Sequence, residues 1–312
     1  MKTSLAAISI AVAALTPAAA HAVAYNFTLF DVPGAGFTSG FKINNHNVVV
    51  GDWRTDPVTG DFQGFTYDNG AITVFAPPGD GILTLTRGNN DAGTVVGGSF
   101  YNTAPRERGF SYDGVSFTEI SVPGSVRTGL RDINNNGVMT GRARIAGQNV
   151  AILYDGVNVT QISLPGATSN IGEGLNDAGQ VVGTATDALG QSLAFYYDGA
   201  STTSFAIGAA QCNQAWGINN AGDIVGVYTS LADCSDAAHG FVRHLGVDYT
   251  VDVPGAAQTD VLGINDDGWI TGAYIDANGA THAFIGSPIP EPATLALLAL
   301  GLAGLGFSRR KQ

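Results

Sequence analysis

Between residues 23 and 287 the apolar positions come in short runs of alternating or β-branched residues, each closed by glycine, asparagine, aspartate or proline. None of these runs holds the three-to-four-residue period of an amphipathic helix, so the pattern predicts strands joined by tight turns. The stretch from Trp216 to Gly255 shows the unit most clearly. "WGINN" (Trp216 to Asn220) reads as a short strand, and "AGDIVGVY" (Ala221 to Tyr228) as a glycine-containing turn and a second strand. "HGFVRHLG" (His239 to Gly246) reads as a third, and "YTVDVPG" (Tyr249 to Gly255) as a fourth, stopped by proline and glycine.

The unit recurs six times. Aligned on an asparagine and on a glycine seven residues later, the asparagines are Asn44, Asn90, Asn134, Asn176, Asn219 and Asn265, and the glycines Gly51, Gly97, Gly141, Gly183, Gly226 and Gly272. The steps between asparagines are 46, 44, 42, 43 and 46 residues. A period near 44 matches one four-stranded propeller blade. The sixth copy stops after its third strand, "THAFIG" (Thr281 to Gly286), and the missing fourth strand stands at the other end of the body as "YNFTLFDVPG" (Tyr25 to Gly34). A ring that pairs its N-terminal strand with its last blade removes the exposed edge; an open array has no reason to split a copy in this way. The expected fold is therefore all-β: a six-bladed β-propeller closed by its N-terminal strand.

The two ends have a different character. Lys2, the apolar stretch Leu5 to Leu15 and the small residues up to Ala20-His21-Ala22 form a signal peptide spanning residues 1–22. At the C-terminus, residues 288–312, Pro290-Glu291-Pro292 precede an apolar run, Ala293 to Phe307, and a basic cluster, Arg309-Arg310-Lys311. As a helix the run would measure about 22 Å against a hydrocarbon core of roughly 30 Å, short for a permanent anchor. The cations would stay on the cytoplasmic side, with the body outside. This arrangement resembles the bacterial PEP-CTERM sorting signal. The resemblance implies an exosortase as processing partner, transient insertion of the C-terminal helix in the membrane of a Gram-negative bacterium, and release to the cell surface or the extracellular space. The "GINNAGDIVGVY" unit followed by His239-Gly240-Phe241, or by His282-Ala283-Phe284, is similar to the extracellular HAF repeats.

Charge narrows the partners. The chain has 14 basic and 26 acidic residues, and four of the cations, Lys2, Arg309, Arg310 and Lys311, lie in the two ends. The acidic body repels phosphate backbones, which argues against nucleic acid as a partner. The two cysteines, Cys212 and Cys234, lack any metal-ligand spacing and in an exported chain are expected to form a disulfide.

Candidate chemistry is sparse. Asn90-Asp91, Asn176-Asp177 and Asn265-Asp266-Asp267 offer oxygens for calcium, or simply cap their own turns. His46, His239, His244 and His282 have no paired ligand spacing, and Glu107, Glu119 and Glu173 fall at different phases of the repeat. Trp53, Trp216 and Trp269 could stack on sugar rings or pack in the core. No catalytic residue, metal site or cofactor is assigned. Near-symmetric copies favour a non-enzymatic surface module associated with extracellular polysaccharide. The alternative is a polysaccharide-active enzyme using aspartates of the central channel.

Overall fold

The computed structural model describes residues 24–77, 81–101, 106–208, 210, 212–231 and 236–289. The expected signal peptide and the expected sorting helix lie outside the described residues. Among the described residues every regular element is a strand, and none is a helix long and apolar enough to cross a membrane.

In chain order the strands are β1 (Tyr25–Phe30), then β2 (Phe37–Ile43), β3 (Val49–Arg54), β4 (Gln63–Asp68) and β5 (Ala71–Phe75) of the first copy. The second copy holds β6 (Gly81–Asn89), β7 (Val95–Tyr101), β8 (Glu107–Tyr112) and β9 (Phe117–Ile120); the third, β10 (Thr128–Ile133), β11 (Met139–Ile145), β12 (Gln148–Tyr154) and β13 (Val159–Ile162). The fourth holds β14 (Ser169–Leu175), β15 (Val181–Thr186), β16 (Ser192–Tyr197) and β17 (Thr202–Phe205); the fifth, β18 (Cys212–Ile218), β19 (Ile224–Thr229), β20 (His239–His244) and β21 (Val247–Val251). The sixth has β22 (Gln258–Ile264), β23 (Ile270–Ile275) and β24 (Thr281–Pro288).

Copies two to five each form a separate four-stranded antiparallel meander. The first and sixth do not stand apart as expected. A parallel bridge between Phe37 and Thr281 joins β2 to β24 and merges the two copies into one eight-stranded sheet, so there are five sheets rather than six. Within that sheet β1 pairs antiparallel with β24, from Tyr25 opposite Pro288 to Phe30 opposite Ala283. The last strand thus runs past the expected boundary at residue 287.

The repeated glycine has a packing cause. Gly51, Gly97, Gly183, Gly226 and Gly272, on the second strands, lie directly opposite Phe65, Phe110, Phe195, Phe241 and Phe284 on the third strands; in the third copy Gly141 faces Ile152. Each of these partners is buried at 3% exposure or less, and removing one such side chain from water is worth about 1.5–3 kcal/mol. A Cβ on Gly226 would lie 2.0 Å from the Gln214 carbonyl oxygen and 2.7 Å from the Phe241 ring. The ring and the neighbouring backbone occupy the space that any other residue needs.

Candidate functional site

The repeated asparagine does two jobs at once. In the first copy Asn44 Oδ1 accepts from the backbone N–H of Val48, which closes the turn between β2 and β3, while Nδ2 donates to the carbonyl of Asn90 in the next copy. The same pair of bonds recurs at Asn90, Asn134, Asn176, Asn219 and Asn265. The inter-copy bonds measure 3.0–3.2 Å, and the last, from Asn265 to the carbonyl of Asn44, closes the cycle.

The next position in each copy forms a second cycle, and its composition alternates: Asn45, Asp91, Asn135, Asp177, Asn220, Asp266. Asp177 shows the pattern. Its Oδ2 accepts from the amides of Asn135 and Asn220 at 3.1 and 2.9 Å, and its Oδ1 accepts from the Asn135 backbone N–H at 2.8 Å. Asp91 and Asp266 are bound in the same way. Every asparagine NH2 has two hydrogens and every Oδ2 takes two, so the ring satisfies itself. These acids serve the ring, with their oxygens already engaged by amides, and no group of three metal-ligating side chains occurs among the described residues. Asn135→Asp would set three adjacent carboxylates where two had shared a donor. It is expected to lower the melting temperature, and the loss should shrink in high salt, where the repulsion is screened.

Behind the rings, every first strand carries a β-bulge. The register skips one residue between Gly40 and Lys42, Thr86 and Gly88, Leu130 and Asp132, Gly172 and Gly174, Ala215 and Gly217, and Val261 and Gly263. The skipped residues are Phe41, Arg87, Arg131, Glu173, Trp216 and Leu262. A bulge re-aims its side chain, and here the six form an asymmetric layer. The Arg87 guanidinium sits 3.5 Å above the Phe41 ring, Phe41 lies 6.2 Å from Trp216, and Arg131 approaches Glu173 at 3.7 Å.

The adjoining residues add charge. Lys42 donates to the carbonyls of Trp216 and Leu262 and stands 3.8 Å from Asp132; Asp52 accepts from Arg87 and from the Thr86 N–H, each at 2.6 Å; and Arg142 pairs with Glu107 at 2.8 Å. Burial pushes the Asp52 and Asp132 carboxyls up to about 6 in spite of their cations, raises Glu173, lowers Lys42, and brings Arg87 down to about 10. Asp52 and Asp132 therefore belong to buried ion pairs. The body's other glutamate, Glu119, pairs with Arg108 on the outside.

One bulge opens onto space. A cleft of about 270 Å³ lies between β18, β19 and β22, lined by Cys212, Gln214, Trp216, Tyr228, Gln258 and Asp260 among others. Side chains two apart share a face of a strand, which is why Cys212, Gln214 and Trp216 line one wall and Gln258 and Asp260 the other. The Trp216 indole donates to Gln214 Oε1 at 3.2 Å, and the Gln258 amide donates to Asp260 Oδ1 at 3.0 Å. Burial raises the Asp260 carboxyl. Cys212 is disulfide-bonded; its expected partner Cys234 lies outside the described residues.

The remaining candidates go elsewhere. Trp53 and Trp269 pack against the Val32, Ile43, Val49, Phe65 and Ile285 cluster. His46 is exposed in its turn; His239 and His282 bind Asp252 and Asp31 at 2.8 Å and lie beside Tyr228 and Tyr274; His244 binds Asp223. Gln214, Gln258 and Asp260 had no signal in the sequence until the bulge placed Trp216 among them. The alternation in the ring was readable as the residue following each repeated asparagine.

The family model for the PEP-CTERM protein-sorting motif matches residues 288–311, which implies export across the membrane of a Gram-negative bacterium and processing by an exosortase. The match covers the tail alone, and the likeness of the body to HAF repeats stays outside it. Proline residues 290 and 292, Glu291, Arg309, Arg310 and Lys311 fall inside the matched span and outside the described residues. No curated protein sequence matches the chain.

Among solved structures, the body is similar to a gluconolactonase, XC5397 from Xanthomonas campestris (TM-score 0.51, 12% identity, 87% of this chain and 92% of that one). It is equally similar to a mutant Aleuria aurantia lectin in complex with Fucalpha1-6GlcNAc (0.51, 10%, 83% and 99%). The β-propeller domain of the Trilobed protease from Pyrococcus furiosus also matches (0.47, 8%, 81% and 94%). Likeness at such identity shows an all-β, propeller-like fold. The expectation that the body is not an enzyme is thereby overturned, because the fold is shared with an enzyme as well as with a lectin. Its premise of near-symmetric copies also gives way at the bulge layer, where the six positions carry Phe41, Arg87, Arg131, Glu173, Trp216 and Leu262.

Proposed function

We propose that the chain is an exported propeller that presents a saccharide-binding cleft at Trp216. In this reading residues 1–22 are removed on export, residues 23–288 form six blades closed by β1, and an exosortase cuts near Pro290-Glu291-Pro292, freeing the body to the cell surface or the extracellular space. The observation that carries the cleft is the company Trp216 keeps. An aromatic face beside two side-chain amides and a carboxyl offers stacking for a sugar ring and hydrogen bonds for its hydroxyls, the mixture of apolar wall and few polar groups that ligand sites use. The backing is rigid: Phe41 supports the indole, and Lys42 holds the Trp216 carbonyl.

The test is a glycan-array screen of the processed protein beside its Trp216→Ala variant, with circular dichroism to verify that both are folded. Binding of a saccharide by the parent and its loss by at least tenfold in the variant are expected, given a stacking interaction of about 1.4 kcal/mol or more. A folded variant that binds the same glycan unchanged would remove the cleft from the account.

A further inference from the structure

We infer that the cleft selects a sugar carrying a free primary ammonium, such as a glucosamine unit without its acetyl group. The inference rests on the saccharide reading above and adds the identity of one substituent.

Asp260 is the reason. Its side-chain hydrogen bonds among the described residues, one on each oxygen, both come from the neutral Gln258 amide, and no lysine, arginine or histidine nitrogen of the described residues lies within 4 Å of it. A carboxylate offers about four acceptor positions, and the one Gln258 nitrogen cannot fill them. His239, beside the Tyr228 ring that lines the cleft, is engaged by Asp252.

Contrast sharpens the point. The buried acids of the bulge layer, Asp52, Asp132, Glu107 and Glu173, each have a lysine or arginine beside them. Asp260, by contrast, lines an open cavity and has no lysine or arginine of the described residues beside it. The faces of Trp216 and Tyr228 favour positive charge as well. An ammonium on a pyranose ring places a cation where a carboxylate lacks one while its ring lies on the indole. An acetamido group in that position would leave the charge of Asp260 uncompensated.

The experiment is a titration of the processed protein at neutral pH with two probes, a glucosamine trisaccharide and its fully N-acetylated counterpart, repeated on Asp260→Asn and Trp216→Ala. The wild type is expected to bind the amino trisaccharide about tenfold tighter, the effect of one charge-assisted bond. Asp260→Asn should abolish that preference, costing the amino trisaccharide more than the acetylated one, while Trp216→Ala weakens both probes. Equal affinity for both, or a preference that persists in Asp260→Asn, would overturn the ammonium inference and leave the saccharide cleft standing. Binding of neutral glycans only, sensitive to Trp216→Ala, does the same. Failure to bind any saccharide sinks the cleft itself.

Discussion

Gly226→Ala is expected to cost the body about 3 kcal/mol, the upper part of the range for overpacked sites. The new methyl would lie 2.0 Å from the Gln214 carbonyl oxygen and 2.7 Å from the edge of Phe241. Neither neighbour can rotate away: one is backbone in a paired strand, and the other is a ring at 0% exposure. The proper control is four residues upstream. Gly222 has open space around its Cβ position and φ of +85°, so Gly222→Ala meets only the left-handed penalty of about 1 kcal/mol. Urea unfolding of the two variants separates the causes. If Gly226→Ala is no worse than Gly222→Ala, the repeated glycine is a turn residue and the steric account is wrong.

Lys42→Met should cost as much or more, by a different route. Lys42 and Asp132 are 3.8 Å apart in the interior, and taking away the lysine leaves an uncompensated carboxylate, a change worth about 3–5 kcal/mol for buried pairs. The penalty depends on pH. The Asp132 carboxyl already titrates at about 6, above its ordinary value of 3.8, so its folded form holds a proton more tightly than the unfolded chain does. Stability from that proton is fully present below the unfolded value and is lost as pH rises through the folded one. Without Lys42 the folded value rises further. The variant should therefore be weakest above neutrality and recover as the medium is acidified through pH 6. Lys42→Met combined with Asp132→Asn removes both charges and keeps an acceptor for one of the Ile133 and Leu175 N–H groups, which bond different oxygens, and should regain part of the loss. A double variant as unstable as the single one would mean that Lys42 matters for its length and its bonds to the Trp216 and Leu262 carbonyls rather than for its charge.

What could be read from the sequence was whatever repeats. The asparagine, the glycine and the split sixth copy all followed from alignment, because the ring bonds and the glycine–phenylalanine packing impose the same residue in each turn of the cycle. The merging of the first and last copies into one sheet depends on a single bridge, Phe37 to Thr281, which no periodicity announces. The site was hidden for the opposite reason. The bulge position carries Phe41, Arg87, Arg131, Glu173, Trp216 and Leu262, so it looks like noise in an alignment, and only the register skip shows that these unlike residues meet. Lys42 and Asp132 sit where the other four copies have Gly88, Gly174, Gly217 and Gly263, in a layer where an added Cβ on Gly88 would come within 2.6 Å of the Asp132 Cα. That exchange of glycine for charge was visible. Its meaning required knowing that the two positions meet.

The pairing of β1 with β24 bears on the order of folding. The strand made first waits for the strand made last, so the final sheet closes through contacts of the greatest sequence separation in the body, the slow kind. Until then β24 presents an open edge, a template for pairing with another chain. Tyr25 pairs with Pro288, where the matched sorting motif begins, so the clasp can complete only when the whole body has left the translocation channel.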